Sequence, residues 1–220
     1  MIRGMIFDLD GVIVDTAKYH YLAWKALADS LGIRFTKQDN ERLKGVSRVR
    51  SLEIILEIGG KTLSAEQKQF YLKQKNDRYL EYIHQLREKE ILPGAKGFIQ
   101  DARAQGLRTA IGSASKNTEM ILQILRIRDL FDAVIDGTKV TKAKPDPEVF
   151  AKGAEELGLP PVECVVFEDA QAGVEAAHNA GMRAVGIGSR ERLPDADINL
   201  DGFTGLTPQA LLQRLDTAGH

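Results

Sequence analysis

The chain has 220 residues and a mass of 24.3 kDa, with 43% hydrophobic and 28% charged residues, which is typical of a globular protein and argues against disorder or fibre formation. Its 30 basic and 31 acidic side chains leave a formal net charge of −1, which disfavours nucleic-acid binding through bulk electrostatics. A single cysteine excludes an internal disulfide, and no apolar run approaches the ~20 residues of a membrane span, so we expect a reduced, cytoplasmic protein.

The first predicted element is a buried strand at residues 4–7, which runs directly into Asp8 and Asp10. Its continuous apolarity is typical of a strand that is covered on both faces, as in a parallel sheet. This strand pattern stops near residue 14.

Residues 15–92 contain helical periods and no strand pattern, which predicts an inserted helical domain. Thr16 is placed to cap a helix that ends at Gly32. Ser64 and Gln67 form a capping-box pattern that opens a long charged helix. The stretch carries 15 basic and 11 acidic residues, a net of +4, against −5 in the rest of the chain. A basic insertion above an acidic domain suits a metal and an anionic ligand, although solvated surfaces without a function produce the same difference.

From residue 93 the strand pattern resumes and alternates with helices. Further apolar runs lie at residues 109–112, 133–135, 165–167 and 184–187. Helical patterns end at three glycines, which suit the position after a helix: Gly106, Gly158 and Gly181. The alternation predicts a doubly wound α/β fold with a parallel sheet, in which residues 1–14 and 93–220 form the Rossmann-like core and residues 15–92 form a helical cap.

Polar side chains follow the predicted strands at the edge where ligands bind in open α/β sheets. They are Asp8, Asp10, Ser113, Glu168 and Asp169, and Lys144 lies before a predicted helix. Clustered carboxylates repel one another unless a cation is present, and oxygen ligands without clustered histidines indicate Mg²⁺. A phosphate beside them needs further cations, for which the insertion is a candidate source. Phosphoryl transfer fits this set, although an acidic pair after a strand also suits a helix N-terminus.

Residues 8–15 (DLDGVIVD), followed in order by Ser113, Lys144 and the pair Glu168-Asp169, resemble the four motifs of the haloacid dehalogenase superfamily. The resemblance covers the whole chain, including a cap inserted after the first motif. Cap and loop segments resemble most closely the β-phosphosugar mutases of that superfamily, at residues 15–20, 23–27, 43–48, 75–77 and 113–117. The resemblance implies interconversion of β-D-glucose 1-phosphate and D-glucose 6-phosphate through β-glucose 1,6-bisphosphate.

The resemblance also implies a role for each motif residue. Asp8 would be the nucleophile that becomes an aspartyl phosphate, and Asp10 would be the general acid and base. The ligands of Mg²⁺ would be Asp8, Glu168, Asp169 and the backbone carbonyl of Asp10. The groups that grip the transferring phosphoryl group would be Ser113, the Ala114 amide and Lys144.

A mutase must also bind the phosphate that it is not transferring. The residues implied for this distal phosphate are Arg48, Ser115, Lys116 and Asn117. A predicted helix start in residues 115–120 independently favours phosphate. Thr16 and His20 lie one helical turn apart, so we expect cap closure to bring them against Asp10 and the sugar. The other implied substrate contacts are Trp24, Gly45, Val46 and Lys75. Read without the family, His20 is a helix-face histidine and Lys75 is a solvated lysine.

Two alternative functions stay open. A phosphatase of the same superfamily would use the same residues and let water reach the phosphoaspartate. A signalling module that stores an aspartyl phosphate would use Asp8, Ser113 and Lys144, but Asp10 and the cap would then have no purpose. The expected partners are small sugar phosphates, with no nucleic acid and no membrane, and we expect a monomer because cap movement needs a free cleft.

Overall fold

The computed structural model describes residues 1–218, so the last two residues of the predicted core segment lie outside it. Its centre is one parallel sheet of six strands: β1 (Gly4–Phe7), β2 (Arg108–Gly112), β3 (Ala133–Ile135), β4 (Cys164–Glu168), β5 (Arg183–Ile187) and β6 (Ile198–Leu200). The order across the sheet is β3-β2-β1-β4-β5-β6. The predicted doubly wound parallel sheet is confirmed, and the structure adds β6, a short edge strand that the apolar pattern did not mark.

Helices occupy the segments between the strands up to β5, and a last helix follows β6. They are α1 (Ala17–Ser30), α2 (Lys37–Glu41), α3 (Arg48–Gly59), α4 (Ala65–Ile83), α5 (Ala95–Ala104), α6 (Thr118–Ile124), α7 (Glu148–Leu157), α8 (Gln171–Asn179) and α9 (Pro208–Ala218). The helix ends predicted at Gly106, Gly158 and Gly181 are confirmed, and each glycine follows its helix with a positive φ. None of the helices in residues 1–218 is long and apolar enough to cross a lipid bilayer.

The central strand β1 is buried on both faces, which explains its continuous apolar sequence. It pairs with β2 on one side and with β4 on the other, so that Phe7 lies opposite Ile111 and Phe167. The rings of Phe7 and Phe167 stack with their centroids 4.4 Å apart. Burying a side chain of this size stabilises the fold by ~1.5–3 kcal/mol. From β1 the chain adds β2 and β3 on one side and then crosses over to add β4, β5 and β6 on the other. This reversal creates a ligand crevice at the carboxyl ends of β1, β2 and β4.

Helices α1–α4 have a hydrophobic cluster of their own. It includes Trp24, Leu27, Phe35, Leu52, Ile55 and Leu72. The predicted capping box at the start of α4 is present, because Gln67 N donates to Ser64 Oγ at 3.2 Å and Ser64 N donates to Gln67 Oε1 at 2.9 Å. These observations support the proposal that residues 15–92 fold as an inserted cap.

The two chain crossings between cap and core run side by side. Val14 and Ile91 form an isolated antiparallel bridge. Leu92 N donates to Ile13 O at 2.9 Å, and Asp15 N donates to Glu90 O at 2.8 Å. A short paired connection of this kind can act as a hinge, because few residues absorb a change in backbone angles.

Candidate active site

A cavity of about 750 Å³ lies between the carboxyl ends of the strands and the cap. Every residue predicted for the site lines this cavity except Thr16, Asn117 and Glu168. These three lie behind the wall and bond to residues within it: Thr16 to Asp10, Asn117 to Ser115, and Glu168 to Lys144. The structure therefore brings the predicted set together from the sheet edge and the cap.

Three carboxylates at the ends of β1 and β4 form the acidic side of the cavity. One oxygen from each of Asp8, Glu168 and Asp169 lies within 4.8 Å of the others. Lys144 Nζ donates to Asp8 Oδ1 at 2.7 Å and to Glu168, and it also donates to Gly112 O at 3.2 Å. Lys144 is only 3% exposed, so the predicted lysine is a buried partner of the nucleophile candidate.

The carboxylate cluster lacks enough positive charge. Burial raises the pKa of Asp8, that of Glu168 to about 8 and that of Asp169 to about 6. Repulsion from the neighbouring carboxylates raises these pKa values further, and the positive charge of Lys144 offsets the two effects only in part. Asp8 and Glu168 in turn hold the pKa of Lys144 above its usual value in spite of burial. Three buried oxygen donors with this deficit fit a hard divalent cation.

Gly11 lets the loop after β1 approach the cluster. A Cβ atom at this position would lie 2.5 Å from Asp169 Oδ2, and Gly11 has a φ of +84°. Both the space and the backbone conformation therefore require glycine here.

Asp10 faces the cap rather than the carboxylate cluster. Thr16 Oγ1 donates to its Oδ1, and His20 Nε2 lies 3.5 Å from its Oδ2. Burial tends to raise the pKa of Asp10, but His20 and Thr16 outweigh it and hold that pKa below its usual value. Asp10 is thus ionised at neutral pH and can accept a proton.

Thr16 does not cap α1, so that part of the sequence prediction is wrong. The residue stands just before the helix, with helical angles of φ −101° and ψ −10°, and its side chain makes no capping hydrogen bond. Its hydroxyl donates to Asp10 instead. The expected contact between Thr16 and Asp10 is present, and Thr16 is fully buried.

Lys75 and His20 form a buried contact in the cap. Lys75 Nζ lies 2.9 Å from His20 Nδ1 and 4.7 Å from the ring centroids of both Trp24 and Tyr79. Burial, with Arg48 nearby, lowers the pKa of Lys75 to about 7. Burial and Lys75 also lower the pKa of His20 against the effect of Asp10. The reading of Lys75 as a solvated lysine is wrong, because α4 turns this residue inward.

Sequence reasoning missed Tyr79, whose ring stacks on that of His20 with centroids 4.1 Å apart. Its burial raises the pKa of the phenol well above the usual value. The spacing of four residues from Lys75 was a usable signal, since such residues share one helix face.

We expect Lys75→Met to stabilise the protein at neutral and acidic pH while impairing the site. Lys75 has a pKa of about 7 when folded, against ~10.4 when unfolded. The unfolded chain therefore binds more protons between these values, and stability of the natural protein relative to the variant rises with pH across that window. Below pH 7 the free energy of unfolding of the variant should exceed that of the natural protein by about 4 kcal/mol, and the difference should shrink towards pH 10. Urea unfolding at pH 6.5 and 9.5 measures this, and a pH-independent difference would contradict a buried, depressed lysine.

Arg48 and Lys116 add positive charge to the lining of the cavity. Within residues 1–218, neither has a carboxylate within 4 Å. Arg48 is half-buried, and burial lowers the pKa of its guanidinium. A half-buried cation without a carboxylate partner fits an anionic ligand, since desolvation is otherwise uncompensated.

The loop that carries Ser115, Lys116 and Asn117 is not yet helical. Helix α6 begins at Thr118, inside the segment 115–120 in which the sequence predicts a helix start. Before it, local bonds hold a turn: Ser115 N donates to Ser113 Oγ and Asn117 N donates to Ser115 Oγ, each at 3.2 Å. The predicted helix start is confirmed within residues 115–120, and Ser115, Lys116 and Asn117 lie in the turn before it. Ser113, Ala114, Ser115 and Lys116 still line the cavity through this turn.

A cap loop reaches down to the carboxylate cluster. Gly45 and Val46 line the cavity as predicted, and Gly45 has a φ of +71°. The preceding residue, Lys44, was given no role from the sequence, yet its Nζ lies 3.5 Å from Asp169 Oδ2 and 3.1 Å from Glu41. The loop thus brings a further cation from the basic cap to the acidic core.

Comparison with known proteins gives a consistent relationship. A family model described as haloacid dehalogenase-like hydrolase matches residues 2–181. A β-phosphoglucomutase from Bacillus subtilis is 42% identical over 95% of this chain and 93% of its own length. The crystal structure of a β-phosphoglucomutase from Clostridium difficile superposes with a TM-score of 0.94 and 39% identity, covering 99% of this chain and 98% of that one. A fructose-1-phosphate phosphatase from Escherichia coli is 32% identical over 84% of this chain and 95% of its own length.

Proposed function

The chain belongs to the haloacid dehalogenase-like hydrolase family, and we propose that it acts there as a β-phosphoglucomutase. It interconverts β-D-glucose 1-phosphate and D-glucose 6-phosphate through an aspartyl-phosphate enzyme and β-glucose 1,6-bisphosphate. The observation that carries this proposal is that the cavity holds cations beyond Lys144, which pairs with Asp8. Arg48 and Lys116 also line it, and neither pairs with a carboxylate among residues 1–218. Two phosphates on one sugar need two cationic groups, and the mutase relatives at 39–42% identity support the same conclusion.

Asp8 is the proposed nucleophile. One of its carboxylate oxygens attacks the phosphorus of the bisphosphate, the bond from phosphorus to the sugar oxygen breaks, and the phosphoryl group moves to Asp8. Lys144, Ser113 and the Ala114 amide stabilise the charge on the transferring group. Asp8, Glu168, Asp169 and the backbone carbonyl of Asp10 would hold Mg²⁺, which would supply further positive charge for that group.

Asp10 is the proposed general acid and base. In its protonated form it gives a proton to the departing sugar oxygen. In its ionised form it removes the proton from the C1 or C6 hydroxyl that attacks the phosphoaspartate. The lowered pKa of Asp10 in this structure corresponds to the ionised form, which is the form that accepts a proton. Thr16 and His20 hold the carboxylate in place for both steps.

The sugar is proposed to lie between the two phosphate positions, against cap residues. Trp24 and Val46 form an apolar part of the cavity wall. Lys75 and His20 supply polar groups to the same wall. The cap covers this space, so that a sugar hydroxyl rather than water reaches the phosphoaspartate. Both sugar phosphates can then bind in one closed site. Between the two half-reactions the bisphosphate reorients, so that its two phosphates exchange positions.

The proposal is tested by a ³¹P NMR time course with Mg²⁺, β-glucose 1-phosphate and a trace of β-glucose 1,6-bisphosphate. Conversion to glucose 6-phosphate with little inorganic phosphate is the expected result. The α-anomer serves as a control for stereochemistry. Accumulation of inorganic phosphate would make the protein a phosphatase, the activity of its Escherichia coli relative.

We expect Arg48→Ala to reduce mutase flux about 10–100-fold, the range for loss of a hydrogen bond to a charged group. Hydrolysis of acetyl phosphate should change much less, because that phosphodonor has no distal phosphate for Arg48 to hold. Arg50→Ala is the matched control, since Arg50 is exposed and pairs with Glu57 on the surface of α3. An equal loss in both reactions would remove the distal role from Arg48.

A further inference from the structure

A hydrogen bond joins the cap to the core at the cavity, one residue from Lys116. Asn117 Nδ2 donates to Asn76 Oδ1 at 3.1 Å. Asn76 lies on α4 of the cap and lines the cavity, whereas Asn117 directly precedes α6 in the core and is buried. The family resemblance implies phosphate binding by Asn117 and assigns nothing to Asn76.

The side chain of Asn117 contacts the cap instead of capping its own helix, α6. An asparagine that precedes a helix usually turns its side-chain oxygen back to the first amides of that helix. Asn117 makes no such capping bond. Its side-chain amide is directed across the boundary between core and cap, so that its position depends on the cap residue it meets.

Asn76 keeps donor capacity after making this bond. Its Oδ1 accepts from Asn117, and among residues 1–218 no protein atom accepts from its Nδ2. An amide has two N–H donors, and a neutral donor in a cavity wall suits a phosphate or sugar oxygen. Asn76 is also the residue after Lys75 and lines the same cavity as Arg48.

We propose that Asn76 is a positioning residue: through it the cap holds Asn117 behind the cavity wall, and Asn117 in turn holds the turn at Ser115 and Lys116 that faces the distal phosphate. The proposal rests on the function proposed above. A ligand with a distal phosphate engages the pair, whereas a small phosphodonor does not reach it. Asn76 therefore favours the binding of ligands that carry a distal phosphate. By favouring these ligands it also favours phosphoryl transfer to a sugar hydroxyl over release of inorganic phosphate.

The first test measures binding without turnover. In the Asp8→Asn background, which has no nucleophile, calorimetry gives the Kd of β-glucose 1,6-bisphosphate. Adding Asn76→Ala should weaken binding about 3–10-fold, the range for one hydrogen bond. Gln74→Ala, an exposed position on the same helix, is the matched control and should leave Kd unchanged. Asn76→Asp keeps an acceptor for Asn117 but adds a negative charge to the cavity lining, so it should weaken binding of this anionic ligand more than Asn76→Ala.

The second test asks whether the two asparagines act as a pair. Asn117→Ala and the double variant Asn76→Ala/Asn117→Ala should have the same Kd within about twofold, because the removal of Asn117 already breaks the contact. In the otherwise natural protein, Asn76→Ala should raise KM for β-glucose 1-phosphate and leave acetyl phosphate hydrolysis within about twofold. Multiplied effects in the double variant, or an unchanged Kd for Asn76→Ala, would overturn the proposal. Failure of the mutase function is recognised separately, by inorganic phosphate release from the natural protein.

Discussion

Replacing Asp8 with asparagine should lower kcat for the mutase reaction on the order of 10⁶-fold, the scale seen when a covalent nucleophile is removed. An amide oxygen does not form the acyl phosphate that the reaction requires. Incubation with β-glucose 1,6-bisphosphate should phosphorylate the natural protein and leave the variant unmodified. Intact-mass measurement and ³¹P NMR check the two expectations.

The Asp8→Asn chain should still fold. Asparagine has nearly the same shape as aspartate, and Lys144 retains its contacts with Glu168 and the Gly112 carbonyl. Loss of one carboxylate also relieves part of the repulsion within the cluster. Asp136→Asn is the matched control, because Asp136 follows β3 as Asp8 follows β1 but bonds to Thr138 within its own loop. Retained turnover in Asp8→Asn would remove Asp8 as the nucleophile.

Replacing Asp10 with asparagine should lower kcat for the mutase about 10²–10⁴-fold, the range for a general acid or base. Asparagine keeps an oxygen to accept from Thr16, so the local structure persists, but it neither takes nor gives a proton at the sugar oxygen. Phosphorylation of Asp8 by acetyl phosphate should be much less affected, since acetate leaves without a proton.

Two measurements separate a catalytic role of Asp10 from a structural one. Single-turnover phosphorylation by acetyl phosphate reports the Asp8 step alone, and mutase turnover reports both steps. Asp15→Asn is the control, because the Asp15 carboxylate pairs with Lys18 at 2.7 Å on the surface. If Asp10→Asn slows both reactions to the same extent, proton transfer at the sugar oxygen is not its function.

The polar residues at the sheet edge were predictable because each one follows an apolar run that marks a buried strand. Asp8 and Glu168 terminate apolar runs, and such runs form the parallel strands β1 and β4. Once the strands are parallel, their ends share one edge, so that sequence neighbours of the strands become spatial neighbours. The sequence also predicted an acidic core beneath a basic cap, and the cap does bring Arg48 and Lys75 to the lining of the cavity.

Contacts within the cap were much less predictable. Lys75 reads as solvated because α4 is rich in charge, yet the helix turns it against His20 and the ring of Trp24. Thr16 reads as a helix cap, yet its hydroxyl reaches Asp10. Each outcome depends on which face of a helix meets the core, and helix orientation depends on packing over the whole domain.

By itself the sequence determined the parallel α/β fold, the family and the residues that carry phosphoryl transfer, because strand burial and the four motifs are local patterns. Only the tertiary structure decided which charges are buried and which polar atoms meet across the boundary between cap and core. Lys44 beside Asp169 and Asn76 beside Asn117 join positions far apart in the chain. Such pairs have no local signature, since they arise when the cap packs against the sheet edge.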